Sequence, residues 1–106
     1  MRRGEVRWAL LPEGYGRRPV VVLSRNAVLP VRGHVTVAPI TRTVREIRSE
    51  VPVGAAEGLP RDSVVNTDEI VTIPIRMVDL GAIGSLGPVK LRELASAIHY
   101  ALDLRD

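Results

Sequence analysis

The chain has 106 residues, 45% of them hydrophobic, with a formal net charge of +3, which is enough for one domain (residues 1–106) around one core. It has no cysteine, which excludes disulfides, cysteine nucleophiles and thiolate metal sites. Its two histidines, His34 and His99, are far apart in sequence and suggest no metal cluster, so neither a metal nor a cofactor is expected. No apolar run reaches the roughly 18 residues of a membrane span, and no signal-peptide apolar region follows the basic start, so a cytoplasmic protein is expected.

The charge is unevenly distributed. Residues 1–48 hold ten arginines against Glu5, Glu13 and Glu46, a local balance of +7, whereas residues 49–106 carry −4. A polyanion-binding face built from the first half is the physical implication. With only Trp8, Tyr15 and Tyr100 as aromatics, a platform of several stacked bases is not expected.

In chain order, Gly4–Leu11 alternates and predicts a first strand, with Val6, Trp8 and Leu10 on the buried face and Glu5, Arg7 and Ala9 opposite. Glu13-Gly14-Tyr15-Gly16-Arg17-Arg18-Pro19 reads as a tight polar loop. It empties into a strand over Pro19–Ser24 whose unbroken Val20–Leu23 run predicts burial on both faces. An arginine held at the mouth of a rigid strand suits phosphate oxygens with its planar fork. Arg25–Gly33, with Pro30, reads as a connection.

His34–Thr41 predicts a third strand, with Pro39 forcing an edge, a bulge or an end, so that Thr41 stands near a strand terminus. Arg42–Arg48 is a basic loop or frayed strand opening, equally readable as a solvated arm. Ser49–Val53 predicts a strand, closed by the turn-rich Gly54–Pro60. Short strands follow at Ser63–Val65 and Glu69–Ile73, and a last one at Met77–Ile83. From Gly87-Pro88 a helix is expected to about Leu104, with Leu91, Leu94, Ala95, Ile98 and Leu102 on its apolar stripe. Six or seven closely spaced short strands and one C-terminal helix predict a mainly β fold, a small, strongly bent antiparallel barrel.

Five blocks in this order resemble the MazF/PemK family of toxin endoribonucleases. They are Arg3-Gly4-Glu5-Val6-Arg7-Trp8, then Glu13 to Ser24, then Val37-Ala38-Pro39-Ile40-Thr41-Arg42, then Asp62 to Ile70, then Ile83-Gly84-Ser85-Leu86-Gly87. The resemblance implies an SH3-like barrel of the CcdB/MazF kind. It also implies a homodimer, metal-independent cleavage of single-stranded RNA, and a MazE-like antitoxin whose C-terminal tail occupies the RNA-binding groove. It places Arg18 and Thr41 at the family's catalytic positions; Arg17, Arg42, Arg45 and Arg48 of the basic half, with Asp68 and Glu69, are the candidate RNA-binding residues. Three departures bear on substrate preference: a shortened loop before Glu13, Gly14 in place of a glutamine, and Glu69 in place of an amide.

RNA cleavage by transesterification needs deprotonation of a ribose 2′-hydroxyl, stabilisation of a dianionic phosphorane and protonation of the leaving oxygen. The Arg18 guanidinium answers the second need. A threonine hydroxyl is too weak a base at neutral pH, so Thr41 is expected to donate to or position the phosphate; satisfying backbone groups at a strand end is its other reading. Glu13 is a candidate to orient Arg18 or accept the 2′-proton. His34 lies outside the matched blocks, and His99 flanks the helix stripe as a structural residue. Two other classes compete: a CcdB-like toxin that binds gyrase through its terminal helix, and a non-catalytic nucleic-acid-binding barrel. The Arg18/Thr41 pair argues against the first, and discrete cuts in RNA would exclude both.

Overall fold

A computed structural model of the chain describes residues 1–27, 31 and 33–104. Its strands are β1 (Glu5–Leu11), β2 (Gly16–Val22), β3 (His34–Thr41), β4 (Glu50–Val53), β5 (Ser63–Asn66), β6 (Val71–Pro74) and β7 (Gly84–Ser85), followed by helix α1 (Pro88–Ala101). All pairings are antiparallel. The sheet runs β4-β5-β3-β2-β1-β7, with β6 also on β3. This is the expected mainly β, bent-sheet architecture with one C-terminal helix. Within the expected Arg25–Gly33 connection, residues 28–30 and 32 lie outside the described residues.

The sheet is apolar on both faces, and that organises the core. Val20, Val21 and Val22 are all fully buried, as the unbroken run predicts. Val21 joins Val6, Ala38, Ile40 and Leu94 of α1 in one cluster, while Val20 and Val22 join Ala9, Val37 and Ile73 in another. Each cluster removes apolar surface from water at roughly 25 cal/mol per Å².

β1 differs from its predicted pattern. Val6 is buried, but Trp8 and Leu10 are 39% and 49% exposed, and Arg7, Ala9 and Leu11 are buried instead. Two faces compete for this strand: the Val6 face is covered only at its start, and the Ala9–Leu11 face packs against Val20 and Val78.

The predicted strand Met77–Ile83 is not formed. Ile75–Met77 is a 3-10 turn, Val78 makes a single bridge to Ala9, and only Gly84–Ser85 pairs as a strand. The cause is Arg7. Its guanidinium is held by Glu5 and its Nη1 donates to the carbonyls of Asp79 and Leu80. Those carbonyls therefore find a buried cation rather than a strand. Glu69 likewise belongs to a 3-10 turn, Thr67–Glu69, started by Asn66, whose Oδ1 accepts from the Asp68 N–H at 3.0 Å; β6 begins at Val71.

Pro39 lies within β3 rather than at its end. β6 pairs with His34–Val37 and β5 with Ile40–Thr41, so the missing N–H of Pro39 falls between two partners and breaks neither ladder. The helix ends at Ala101, three residues early. Leu94 and Ala97 are its buried residues, and Leu102 is 55% exposed beyond the last turn.

Candidate active site

The site forms where β2 and β3 part company. They pair as far as Val20 and Pro39. Beyond that point Gly16–Pro19 is held by β1 and Ile40–Thr41 by β5. Carried two residues further, the same register sets Arg18 opposite Thr41. A cleft of about 350 Å³ opens there, lined by both residues together with Arg17, Arg42, Arg61 and Trp8. Thr43 and Ser63 add hydroxyls to its rim, and among the described residues neither a carboxylate nor a histidine lines it. Four guanidinium groups surround one opening, and only Arg17 has a carboxylate partner, Asp79, which leaves a net cationic anion site.

The two consecutive arginines have different fates. Arg17 donates from Nη1 to Asp79 Oδ1 at 3.0 Å and from Nη2 to Asp79 Oδ2, and it stacks 5.6 Å from the centroid of Trp8. This ion pair raises the Arg17 pKa and lowers that of Asp79, in each case chiefly through the hydrogen bond between them. Arg18 is half-buried and has no carboxylate partner among the described residues; its Nε is buried without any acceptor. What holds it is the ring of Tyr15, 5.3 Å from the guanidinium carbon. Cation–π contact fixes the plane of the fork and leaves its edge uncoordinated.

Thr41 is the last residue of β3. Its Oγ1 accepts the Thr43 N–H at 3.2 Å, the local bond expected of a strand-end threonine. That bond occupies an acceptor site and leaves the hydroxyl proton available to a phosphate oxygen.

Glu13 is not brought to this cleft. It is exposed, in a left-handed conformation (φ 55°), and lines a separate cavity with Tyr15 and Glu69. The Tyr15 hydroxyl donates to Glu69 Oε2, and this bond, then burial and the Glu69 charge, raise the phenol pKa above its ordinary value. Arg45 and Arg48 are exposed on the segment before β4. The Arg45 and Glu46 N–H groups both donate to Glu50 Oε1, and Arg48 stacks on Tyr100 at 4.4 Å. Asp68 accepts from Ser49 Oγ at 2.6 Å, bracing the loop behind the site. His34 and His99 are exposed and line neither cavity.

Sequence reasoning missed Arg61 and the roles of Trp8 and Tyr15. Arg61 reaches the cleft only because β5 pairs with the end of β3, which no local pattern encodes. Tyr15 had a signal, since an aromatic between two loop glycines beside paired arginines is a ready cation–π partner.

Known proteins resemble this chain over most of its length. Residues 2–102 match the family model for the PemK-like, MazF-like toxin of type II toxin–antitoxin systems. The chain is 50% identical over 88 residues to the endoribonuclease MazF3 of Mycobacterium tuberculosis, covering 82% of this chain and 84% of that protein. The Mycobacterium tuberculosis toxin MazF-mt6 superposes with a TM-score of 0.89 at 42% identity, over 96% of this chain and 99% of that one. A mycobacterial endoribonuclease in complex with its cognate antitoxin superposes with a TM-score of 0.87 at 28% identity, over 100% and 98%.

Proposed function

The chain belongs to the PemK-like, MazF-like toxins of type II toxin–antitoxin systems, and from that premise we propose that it is a sequence-specific endoribonuclease. In this reading residues 1–106 are one toxin domain that acts in the cytoplasm as a homodimer. It cleaves single-stranded RNA without metal and is inhibited by an antitoxin whose tail competes for the same cleft. The names of its relatives favour this over a gyrase-binding toxin or a non-catalytic barrel.

One observation carries the mechanism: an uncoordinated, ring-held Arg18 stands in register with Thr41 in a cleft lined by cations and free of carboxylates. In transesterification the ribose 2′-oxygen attacks phosphorus and loses its proton. The bond from phosphorus to the 5′-oxygen then breaks, leaving a 2′,3′-cyclic phosphate and a protonated 5′-hydroxyl. Negative charge grows on the non-bridging oxygens between these events. Arg18 meets it with a pre-oriented fork and Thr41 with its free hydroxyl proton; removing one such donor typically costs about 10²–10³ in turnover. Arg42 and Arg61 add field without geometry. The cleft therefore works by charge and positioning, and it is not the source of a side-chain base.

Metal-independence is part of this reading: no three His, Cys, Asp or Glu residues come together among the described residues, so a divalent ion would have to depend on the RNA's own oxygens. Incubating the purified protein with mixed RNA in excess chelator is expected to give discrete cuts ending in cyclic phosphate, and Arg18→Ala is expected to abolish them. Loss of cleavage in EDTA with recovery in magnesium would overturn the mechanism. RNA binding without any cuts would favour the non-catalytic barrel.

A further inference from the structure

The Tyr15 ring links two compartments. It carries the Arg18 guanidinium of the cleft, and it also lines a second cavity of about 190 Å³. The walls of that cavity are apolar, formed by Leu11, Pro39, Ile70 and Val71, and its polar side chains are Glu13, Tyr15 and Glu69. No cation lines it. A phosphate is therefore repelled from the cavity while it is attracted to the cleft next door. A flat group with apolar faces and donor edges fits, and in an RNA chain that group is a base.

The two carboxylates are prepared differently. Glu69 is latched by the Tyr15 hydroxyl, which fixes both the ring and the carboxyl group. Glu13 has no partner among the described residues, and its backbone is left-handed at φ 55°. Glu13 and Gly14 (φ 83°) are the central residues of the tight turn joining β1 and β2, closed by the Tyr15 N–H on the Pro12 carbonyl, and such a turn takes positive φ at both.

We propose that this cavity receives the unpaired nucleobase adjoining the phosphate held at Arg18, and that Glu13 and Glu69 select a base bearing an exocyclic amino group. Resting on the endoribonuclease reading for the identity of its occupant, the assignment adds a specificity pocket to it. An ionised carboxylate only accepts hydrogen bonds. Cytosine N4, adenine N6 and guanine N2 each present an amino group to it, and acidic side chains reading cytosine N4 are an established pairing. Uracil has no amino group and presents carbonyl O4 where cytosine presents N4. Where a carboxylate meets that edge, oxygen faces oxygen, and uracil is disfavoured by about tenfold relative to cytosine. Tyr15 forms the wall between base and phosphate, so the position read is the one next to the scissile bond.

The test uses 2′-O-methyl oligocytidylate and oligouridylate, which bind without being cut, titrated onto the purified full-length protein by fluorescence anisotropy. The decisive quantity is the ratio of the two affinities, compared between wild type and the Glu13→Gln/Glu69→Gln double variant. An amide presents an NH₂ to uracil O4, so the cytidylate preference is expected to fall by about tenfold in the variant. Tyr15→Phe, which keeps the wall and loses the latch, is expected to give a smaller fall. An unchanged ratio in the double variant, with its circular dichroism spectrum intact, overturns the proposal. Cut-site profiling on random-sequence RNA separates this from the parent reading. Cutting with an unresponsive ratio removes the base pocket and leaves the nuclease; no cutting with a responsive ratio removes the nuclease and leaves the base pocket.

Discussion

Arg17 and Arg18 are neighbours of identical chemistry, and the fold gives them opposite tasks. Arg17 is tied to Asp79, so its substitution is expected to disturb the local surface more than the reaction. Arg18→Ala is expected to lower turnover by about 10²–10³ with an unchanged melting temperature, since the residue makes no ion pair to lose. Arg18→Lys keeps charge without the fork and should remain severely impaired. Thr41→Val keeps shape and removes the hydroxyl. Because both residues act on one phosphorane, the double variant should be less impaired than the product of the singles; fully multiplicative effects, or near-normal cleavage by Arg18→Ala, would defeat the assignment. Tyr15 offers a titration. Its hydrogen bond to Glu69 raises the phenol pKa above the ordinary 10.0, so that bond contributes fully below the ordinary value and is lost as pH rises through the raised one. In a tyrosinate absorbance titration, the difference between wild type and Tyr15→Phe should show a late-ionising phenol that Glu69→Gln brings back down. No change on Glu69→Gln would dissolve the latch. The strand-end place of Thr41 was legible in its block. Arg18, read as a loop residue before a strand beginning at Pro19, lies inside β2 opposite Ala9. Arg61 was not legible, because only the β3–β5 pairing brings it to the cleft.

Elements apolar on every face that meets the core were the easiest to read. The Val20–Val22 run is buried on both faces, as its pattern indicates, and the helix stripe packs at Leu91, Leu94 and Ile98 but not at Leu102, while Ala97, outside the stripe, is buried. β1 crosses between two core clusters, so its alternation pointed to the wrong face. The segment after Met77 has strand-like residues but is diverted by a buried arginine contributed from 72 residues earlier, beyond the reach of any local pattern. The close pass of β7 is similarly non-local. A Cβ on Gly84 would lie 2.3 Å from the Glu57 carbonyl oxygen, and one on Gly58 would lie 2.5 Å from that of Ile83, so backbone meets backbone with no side chain to yield. Gly84→Ala is accordingly expected to destabilise by about 1–3 kcal/mol, seen as a lowered thermal midpoint, whereas Gly87→Ala, with open space around it, serves as the control. Equal midpoints would mean the pass is looser than described. The basic arm is an element-scale question as well. Arg42, Arg45 and Arg48 are all exposed. If they follow the RNA backbone, replacing all three by alanine should reduce the log–log salt slope of binding by about 0.7 per lost phosphate contact. An unchanged slope would make them a solvated arm.

Across the whole molecule, the cationic cleft and the outward face of β1 adjoin. Trp8 and Leu10 lie on one face of that strand, exposed, with Pro19 and Arg17 as their cross-strand neighbours. A tryptophan and a leucine left uncovered beside an ion pair form the apolar centre and polar rim typical of an interface, and a small barrel gains by burying them against a twin. A two-fold contact there would bring two cationic clefts together, because Trp8 lines the cleft as well as the patch. The expected outcome is a dimer by light scattering at micromolar concentration. Trp8, the only tryptophan, should shift its emission to shorter wavelength as concentration rises through the association range. Leu10→Glu places charge at the centre of the patch without touching the cleft lining, so it should give monomers whose emission no longer depends on concentration. If the cleft is completed by the partner, those monomers should also lose most of their cleavage; full activity in a stable monomer would show that each chain carries a complete site. A wild-type protein that scatters as a monomer would leave Trp8 as part of the RNA path alone.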